Sequence, residues 1–157
     1  MRIIALTLCV VVGILQSFQS ASAAGSKATP ITQPTEFDWP VLDVIDGDTV
    51  RVAIEAMPPP LHIDTVRILG VDTPETWKPK CEAELLAGEQ ATQFTRDAIE
   101  SARRVTFKNI KARDYYHRIL AELWVDGQNL ATLLIDAGLG VKYRLKKRDP
   151  WCPPTRE

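Results

Sequence analysis

The chain has 157 residues, 45% of them hydrophobic, and a formal net charge of −1. That length and apolar content suit one domain with a proper core. The near-neutral balance excludes a chain-wide attraction for polyanions, so any nucleic-acid contact has to come from local patches.

The N-terminus reads as an export signal. Arg2 is a short positive region, Ile3 to Leu15 is apolar, and Ala21-Ser22-Ala23 is a small-residue cleavage pattern. The apolar run is too short to span a bilayer. Cys9 comes too early, and Leu6-Thr7-Leu8 before it lacks the small residues of lipoprotein processing. Residues 1–23 are therefore expected to be a signal peptide, with cleavage after Ala23 and, as the near alternative, after Ala24. The mature protein is expected to be secreted or periplasmic, without membrane attachment. Residues 24–37 are rich in Ser, Thr, Pro and Gln and read as a flexible linker. The folded domain is expected over 38–145, followed by a basic and Pro-rich tail over 146–157.

Within the domain, Val41 to Ile45 is a first strand, Asp46-Gly47-Asp48 a turn, and Thr49 to Ile54 a second strand rich in β-branched residues. Met57-Pro58-Pro59-Pro60 breaks the sheet. Ile63 to Val71 is a third strand, stopped at Asp72-Thr73-Pro74-Glu75, because Pro74 cannot donate to a ladder and biases Thr73 away from the α region. Ala91, Phe94, Thr95, Ala98, Ile99 and Ala102 recur at helical spacing and predict a helix over 82–102, with Gly88 weakening its early part. Val105 to Ile110 and Arg118 to Val125 are strands four and five, joined by a polar turn at Lys111 to Asp114. Asn129 is a suitable N-cap for a short helix, Leu130 to Ala137, and Gly138 a suitable C-cap. The order predicts a mainly β, α+β domain: a five-stranded OB-fold barrel with a helix after strand three and a second short helix near the C-terminus.

Several charged residues invite chemistry. Asp48 follows the hairpin turn and Asp72 ends strand three, so a meander brings both to one rim. Two carboxylates there repel unless a cation joins them, and a hard ion such as Ca²⁺ prefers such oxygen ligands. Taken alone, Asp46-Gly47-Asp48 is as well explained by turn chemistry. Glu75 on its loop is either a solvated carboxylate or a group able to take a proton from water. Arg67 and Arg118 carry guanidinium forks that match phosphate oxygens, or else form surface ion pairs. Cys81 and Cys152 are the pair left after export, and in an oxidising compartment they read as a disulfide; two unrelated thiols are the alternative.

Together these residues form a pattern. Asp46-Gly47-Asp48-Thr49, Arg67-Ile68-Leu69-Gly70-Val71-Asp72-Thr73-Pro74-Glu75-Thr76, Gly88-x-x-Ala91-x-x-Phe94-Thr95, Asp114-Tyr115-Tyr116-His117-Arg118-Ile119-Leu120-Ala121, and Asp126-Gly127-x-Asn129-Leu130 running into Ala137-Gly138-Leu139 occur in order. From about Leu42 to Tyr143 the chain resembles the staphylococcal nuclease-like, or thermonuclease, family. The resemblance implies an OB-type barrel and a Ca²⁺-dependent phosphodiesterase acting on DNA and RNA and leaving 3′-phosphates. It implies that Asp48, Asp72 and the Thr73 carbonyl hold the metal, that Glu75 is the candidate general base, and that Arg67 and Arg118 hold the attacked phosphate. Tyr116 and, less directly, Tyr143 match tyrosines of the substrate pocket. A monomer is expected. The competing reading is a non-catalytic OB-fold module that binds nucleic acid, against which stands the full set of site residues.

Two departures from the family pattern stand out. His117 replaces the glycine that commonly precedes the second arginine, at a position where glycine permits φ > 0. The family's long C-terminal helix is replaced by the short tail around Cys152, preceded by a basic run over residues 142–148 that either attracts a phosphate backbone or is simply solvated.

Overall fold

The computed structural model describes residues 35–143 and 151–153. The expected signal segment, most of the expected linker and most of the basic run therefore lie outside the described residues. Nine strands and two helices occur within them: β1 Glu36–Phe37, β2 Val41–Asp46, β3 Thr49–Ala53, β4 Ile63–Ile68, β5 Val71–Asp72, α1 Glu82–Ser101, β6 Val105–Lys111, β7 Ile119–Val125, β8 Gln128–Asn129, α2 Leu130–Asp136 and β9 Val141–Lys142.

Strict alternation builds the sheet. In β7, Ile119, Ala121, Leu123 and Val125 are buried while the residues between them are half-buried. Their partners are the β-branched residues of the meander: Val50 and Val52 of β3, Val66 and Ile68 of β4, joined by Phe107 of β6. Val44 of β2 belongs to the same core. The strands run in the order β1-β6-β7-β4-β3-β2, with β8 on β7 and a separate β5-β9 pair. β4 and β7 are parallel, whereas β2–β3, β3–β4 and β6–β7 are antiparallel. A three-strand meander, a helix, and two further strands of which the last lies parallel to the third is the OB arrangement. Among the described residues no ladder closes β2 onto β6.

The structure departs from the sequence reading in two places. The third predicted strand is two: Leu69-Gly70 turns the chain, with Gly70 at φ +94°, and β5 then pairs with β9 instead of the main sheet. Hydrophobic pattern alone cannot reveal a turn that a single left-handed glycine makes inside an apolar run. β1 lies in the segment read as linker, where Glu36 and Phe37 pair with Lys108 and Phe107. Phe37, Trp39 and Phe107 stack in series at 5.3 Å, which supplies the apolar anchor for this strand. Helix α1 begins at Glu82, as the helical spacing predicts, and runs unbroken through Gly88. Cys81 caps it, its Sγ accepting from the Glu84 N–H, while the buried Glu84 carboxylate accepts from the Lys80 N–H at 2.6 Å. The first contact satisfies one of the donors that a helix start leaves unpaired, and the second ties the residue before the cap back to the helix. Asn129 caps α2, its side chain accepting from the Thr132 N–H, and Gly138 follows the helix at φ +71°.

Candidate active site

The rim where β3 starts and β4 ends collects the charged residues. Helix α1 sets the position of both loops that carry them. Thr95, fully buried, donates from Oγ1 to the Gly47 carbonyl at 2.7 Å and so holds the β2–β3 turn. Gly47 itself has no room for a side chain: a Cβ there would lie 2.8 Å from the Ala91 Cβ and 2.9 Å from Thr73. One turn along, Gly88 lets the helix press on the Pro74–Thr76 loop, where a Cβ would stand 2.8 Å from the Pro74 carbonyl oxygen and 3.1 Å from that of Glu75. The two glycines and Thr95 thus bind the Asp48 turn and the Glu75 loop to one rigid element.

Asp48, Arg67 and Asp72 meet there directly. Arg67 ion-pairs through Nη1 with Asp48 Oδ1, and through Nη2 with Asp72 Oδ1 at 2.9 Å. The same guanidinium donates to the Val71 carbonyl at 3.3 Å. Asp48 is nearly sealed from solvent: its Oδ2 accepts from the Thr73 N–H at 2.8 Å and its Oδ1 from the Thr49 hydroxyl at 3.2 Å. Arg118 reaches the cluster from the start of β7, donating to Thr49 Oγ1 at 3.4 Å. A continuous polar chain therefore runs from Arg118 through Thr49, Asp48 and Arg67 to Asp72. Glu75 is exposed on the loop beyond it, close enough to Arg67 for its charge to favour the protonated guanidinium. Burial pushes Arg67 the other way and wins, so its pKa lies below the ordinary arginine value, with Asp72 and Asp46 opposing the shift.

Asp46 is the residue whose place here the sequence reading missed. Turn chemistry is present, since its carboxylate accepts from the Asp48 N–H at 3.1 Å. Burial, however, raises its pKa, against the pull of the Thr49 hydrogen bond and of the Arg67 and Arg118 charges. The nearby Arg67 and Arg118 charges make Asp46 a third carboxylate of the same neighbourhood. A turn motif gives no hint of this, because the burial comes from elements remote in sequence.

Asp114 is a second residue whose role the local sequence does not reveal. It organises the Tyr115–Arg118 turn: Oδ1 accepts from the Tyr116 and Arg118 N–H groups, both at 2.9 Å, and Oδ2 accepts from Arg118 Nε at 2.9 Å and Nη2 at 2.7 Å. Burial opposes its charge, but the Arg118 hydrogen bonds prevail and hold the carboxyl below its usual range. His117 sits at φ +63°, the conformation its glycine counterpart would permit. Tyr116 is 72% exposed and its ring lies 5.3 Å from the Arg118 guanidinium carbon. Tyr143 is placed by its backbone, donating to the Gly70 carbonyl at 3.1 Å just beyond the β9 strand that pairs Val141 with Asp72. The structure joins Cys81 to Cys152, closing a loop of 71 residues at the capped end of α1.

The donor set suits a hard divalent ion in type, since Asp48 and Asp72 offer carboxylate oxygens. Their arrangement is less open: the cation between them is Arg67, and Asp48 is further engaged by Thr49 and Thr73. Among the described residues no group of three or more His, Cys, Asp or Glu side chains is placed to hold a metal. Arg67 takes one oxygen of each carboxylate, Oδ1 of Asp48 and Oδ1 of Asp72, so an ion bound by this pair would share the carboxylates with the guanidinium or displace it. Thr73 touches Asp48 through its N–H, which leaves its carbonyl free of that contact.

Comparison with known proteins agrees with this picture. The family model described as staphylococcal nuclease homologue matches residues 65–152. The chain is 35% identical over 96 residues to the SPbeta prophage-derived endonuclease YokF of Bacillus subtilis, covering 60% of this chain and 30% of that protein. Endonuclease YncB of the same organism is 38% identical over 96 residues, which are 60% of this chain and 43% of that protein. The chain thus spans less than half the length of these two relatives. The thermonuclease of Staphylococcus hyicus is 30% identical over 127 residues, 80% of this chain and 72% of that protein. With the site residues of both loops on one rim of an OB fold, the chain belongs to the staphylococcal nuclease homologue family.

Proposed function

We propose that this protein is an exported, Ca²⁺-dependent phosphodiesterase that cleaves DNA and RNA and leaves 3′-phosphates. The observation that carries the reading is the chain of contacts from Arg118 to Asp72, which gathers two cations and two carboxylates beside the Glu75 loop. Surface ion pairs do not need such burial: the Arg67 and Asp48 side chains are 11% and 6% exposed. Nucleases of this family are generally metal-dependent. A hydrophobic, cleavable N-terminus and a disulfide between Cys81 and Cys152 support export, because such bonds persist in oxidising compartments.

In this reading Asp48, Asp72 and the Thr73 carbonyl would hold the ion, which would supply positive charge to offset the carboxylates and orient the phosphodiester. Arg67 gives up its aspartate contacts to offer its fork to phosphate oxygens, and Arg118, oriented by Asp114, approaches from the other side. Both stabilise the charge that builds on the pentacoordinate phosphorus. Glu75 positions a water or takes its proton for in-line attack. The P–O5′ bond breaks, the departing 5′ oxygen takes a proton from solvent water while Glu75 returns its own to solvent, and the hydroxyl from the attacking water stays on phosphorus as part of the 3′-phosphate.

The test uses the mature protein with single-stranded DNA and RNA, with Ca²⁺ and with a chelator. Cleavage is expected only with the ion, and Glu75→Gln or Arg118→Ala is expected to lower kcat by about 100-fold or more. Undiminished cleavage by both variants would remove the assigned roles. Salt-sensitive binding with no cleavage in any condition would show instead a non-catalytic module.

A further inference from the structure

Tyr115 is the most exposed large hydrophobic residue among the described residues, 90% accessible, and nothing in the core explains an aromatic there. Among the described residues its ring meets the aromatic ring of Tyr116 alone, edge to face at 5.4 Å and 86°. The turn that carries both is unusually well held. Asp114 accepts from the Tyr116 N–H and from Arg118 at backbone and guanidinium. The Asp114 carbonyl accepts from the His117 N–H, and the Asp114 N–H donates to the Arg118 carbonyl, both at 3.0 Å. Arg113 ties the same turn to β4 by pairing with Asp64 and donating to the His117 carbonyl. Two aromatic rings are thus displayed to solvent on a preorganised backbone, so that little conformational freedom remains to be lost on binding.

We infer that Tyr115 and Tyr116 form a base-stacking subsite, in which Tyr115 receives the base next to the one at Tyr116 and confers a preference for unpaired nucleic acid. The placement follows from Arg118. That guanidinium is a candidate phosphate clamp, and Tyr116 lies against it, so Tyr116 sits within one nucleotide of the phosphate. Tyr115 is the next aromatic outward and presents a fresh face at a right angle to the first. Every base has a π face, so such a subsite tolerates any sequence. A base inside a duplex has both faces covered by its neighbours, and exposing one costs unstacking energy. The inference rests on the nucleic-acid reading above but not on the catalytic one.

The experiment compares wild type, Tyr115→Ala and Tyr115→Phe on a short oligothymidylate, on the same strand with an abasic residue beside the cleaved linkage, and on a hairpin duplex. Tyr115→Ala is expected to raise KM about tenfold on the base-bearing strand. Tyr115→Phe should restore it, and the abasic strand should show little difference between variants. Loss of selectivity for the single strand over the hairpin should accompany the Ala change. Fluorescence anisotropy of a labelled oligothymidylate under chelation reads binding without turnover, and should show the same Ala-specific weakening. Equal KM and equal binding for wild type and Tyr115→Ala would overturn the subsite, as would an equal penalty on base-bearing and abasic strands. A wild type that binds in this Tyr115-dependent way but cleaves nothing would overturn the nuclease reading and leave the subsite standing.

Discussion

Replacing Gly88 by alanine separates helix propensity from tertiary packing. Judged as a residue inside a 20-residue helix, Gly88→Ala should stabilise the protein by about 1 kcal/mol. The structure reverses the sign. The new Cβ would stand 2.8 Å from the Pro74 carbonyl oxygen, 3.0 Å from Thr76 Cγ2 and 3.1 Å from the Glu75 carbonyl oxygen. Two of those atoms are backbone and cannot rotate aside. Ordinary contact begins near 3.4 Å, so the loop or the helix has to retreat by 0.6 Å, which is 3.4 − 2.8. Overpacking of this kind costs about 1–3 kcal/mol, which outweighs the propensity gain and leaves a net loss of up to about 2 kcal/mol. In a domain of this size each kcal/mol corresponds to about 4–8 °C in Tm. The loop that moves carries Glu75, and a displacement approaching 1 Å at a reacting group can lower turnover by about 100-fold. Urea unfolding and kcat measured on the same preparation check both effects. A Gly88→Ala protein that is more stable than wild type and fully active would show that α1 does not position the Glu75 loop.

Acid should weaken the fold through Asp64. The Arg113 hydrogen bond, against the effect of burial, holds this carboxyl below its usual pKa. The unfolded chain therefore binds the proton more readily than the folded one. The resulting stability is fully present above the ordinary Asp value of about 3.9 and is lost as pH falls through the folded-state pKa. Asp64→Asn should flatten the acid limb of stability against pH in urea melts between about pH 2.5 and 6; an unchanged limb refutes the contribution. The Cys81–Cys152 bond closes a loop of 71 residues. Cys152→Ser is expected to cost about 4 kcal/mol by loop-closure entropy. Thiol titration of the denatured, unreduced protein should find neither cysteine reactive, and two reactive thiols would contradict the bond.

Much of this domain was legible from local pattern. Alternation in Ile119–Val125, the β-branched run Thr49–Ala53 and the caps at Asn129 and Gly138 are short-range features, and each appears where its chemistry requires it. Asp48, Arg67, Asp72, Glu75 and Arg118 could be singled out only through their resemblance to the family's motifs, since each alone is as well explained by turn or surface chemistry. The split between β4 and β5 was not legible, since it depends on one positive-φ glycine and on pairing with β9, which lies some 70 residues further on. Nor were the roles of Asp46 and Asp114, because turn residues look alike in sequence whether they face solvent or a buried guanidinium. Gly88 is the sharpest case. Seen as sequence it is a weak point in a helix; in the fold it is the only residue small enough for α1 to lie against the Pro74–Thr76 backbone. Sequence by itself determined which elements form and which charged groups are available, because those depend on neighbours along the chain. Only the tertiary structure decided that Arg67 lies between Asp48 and Asp72 and that one helix holds both site loops, because burial and close approach are properties of residues distant in the chain.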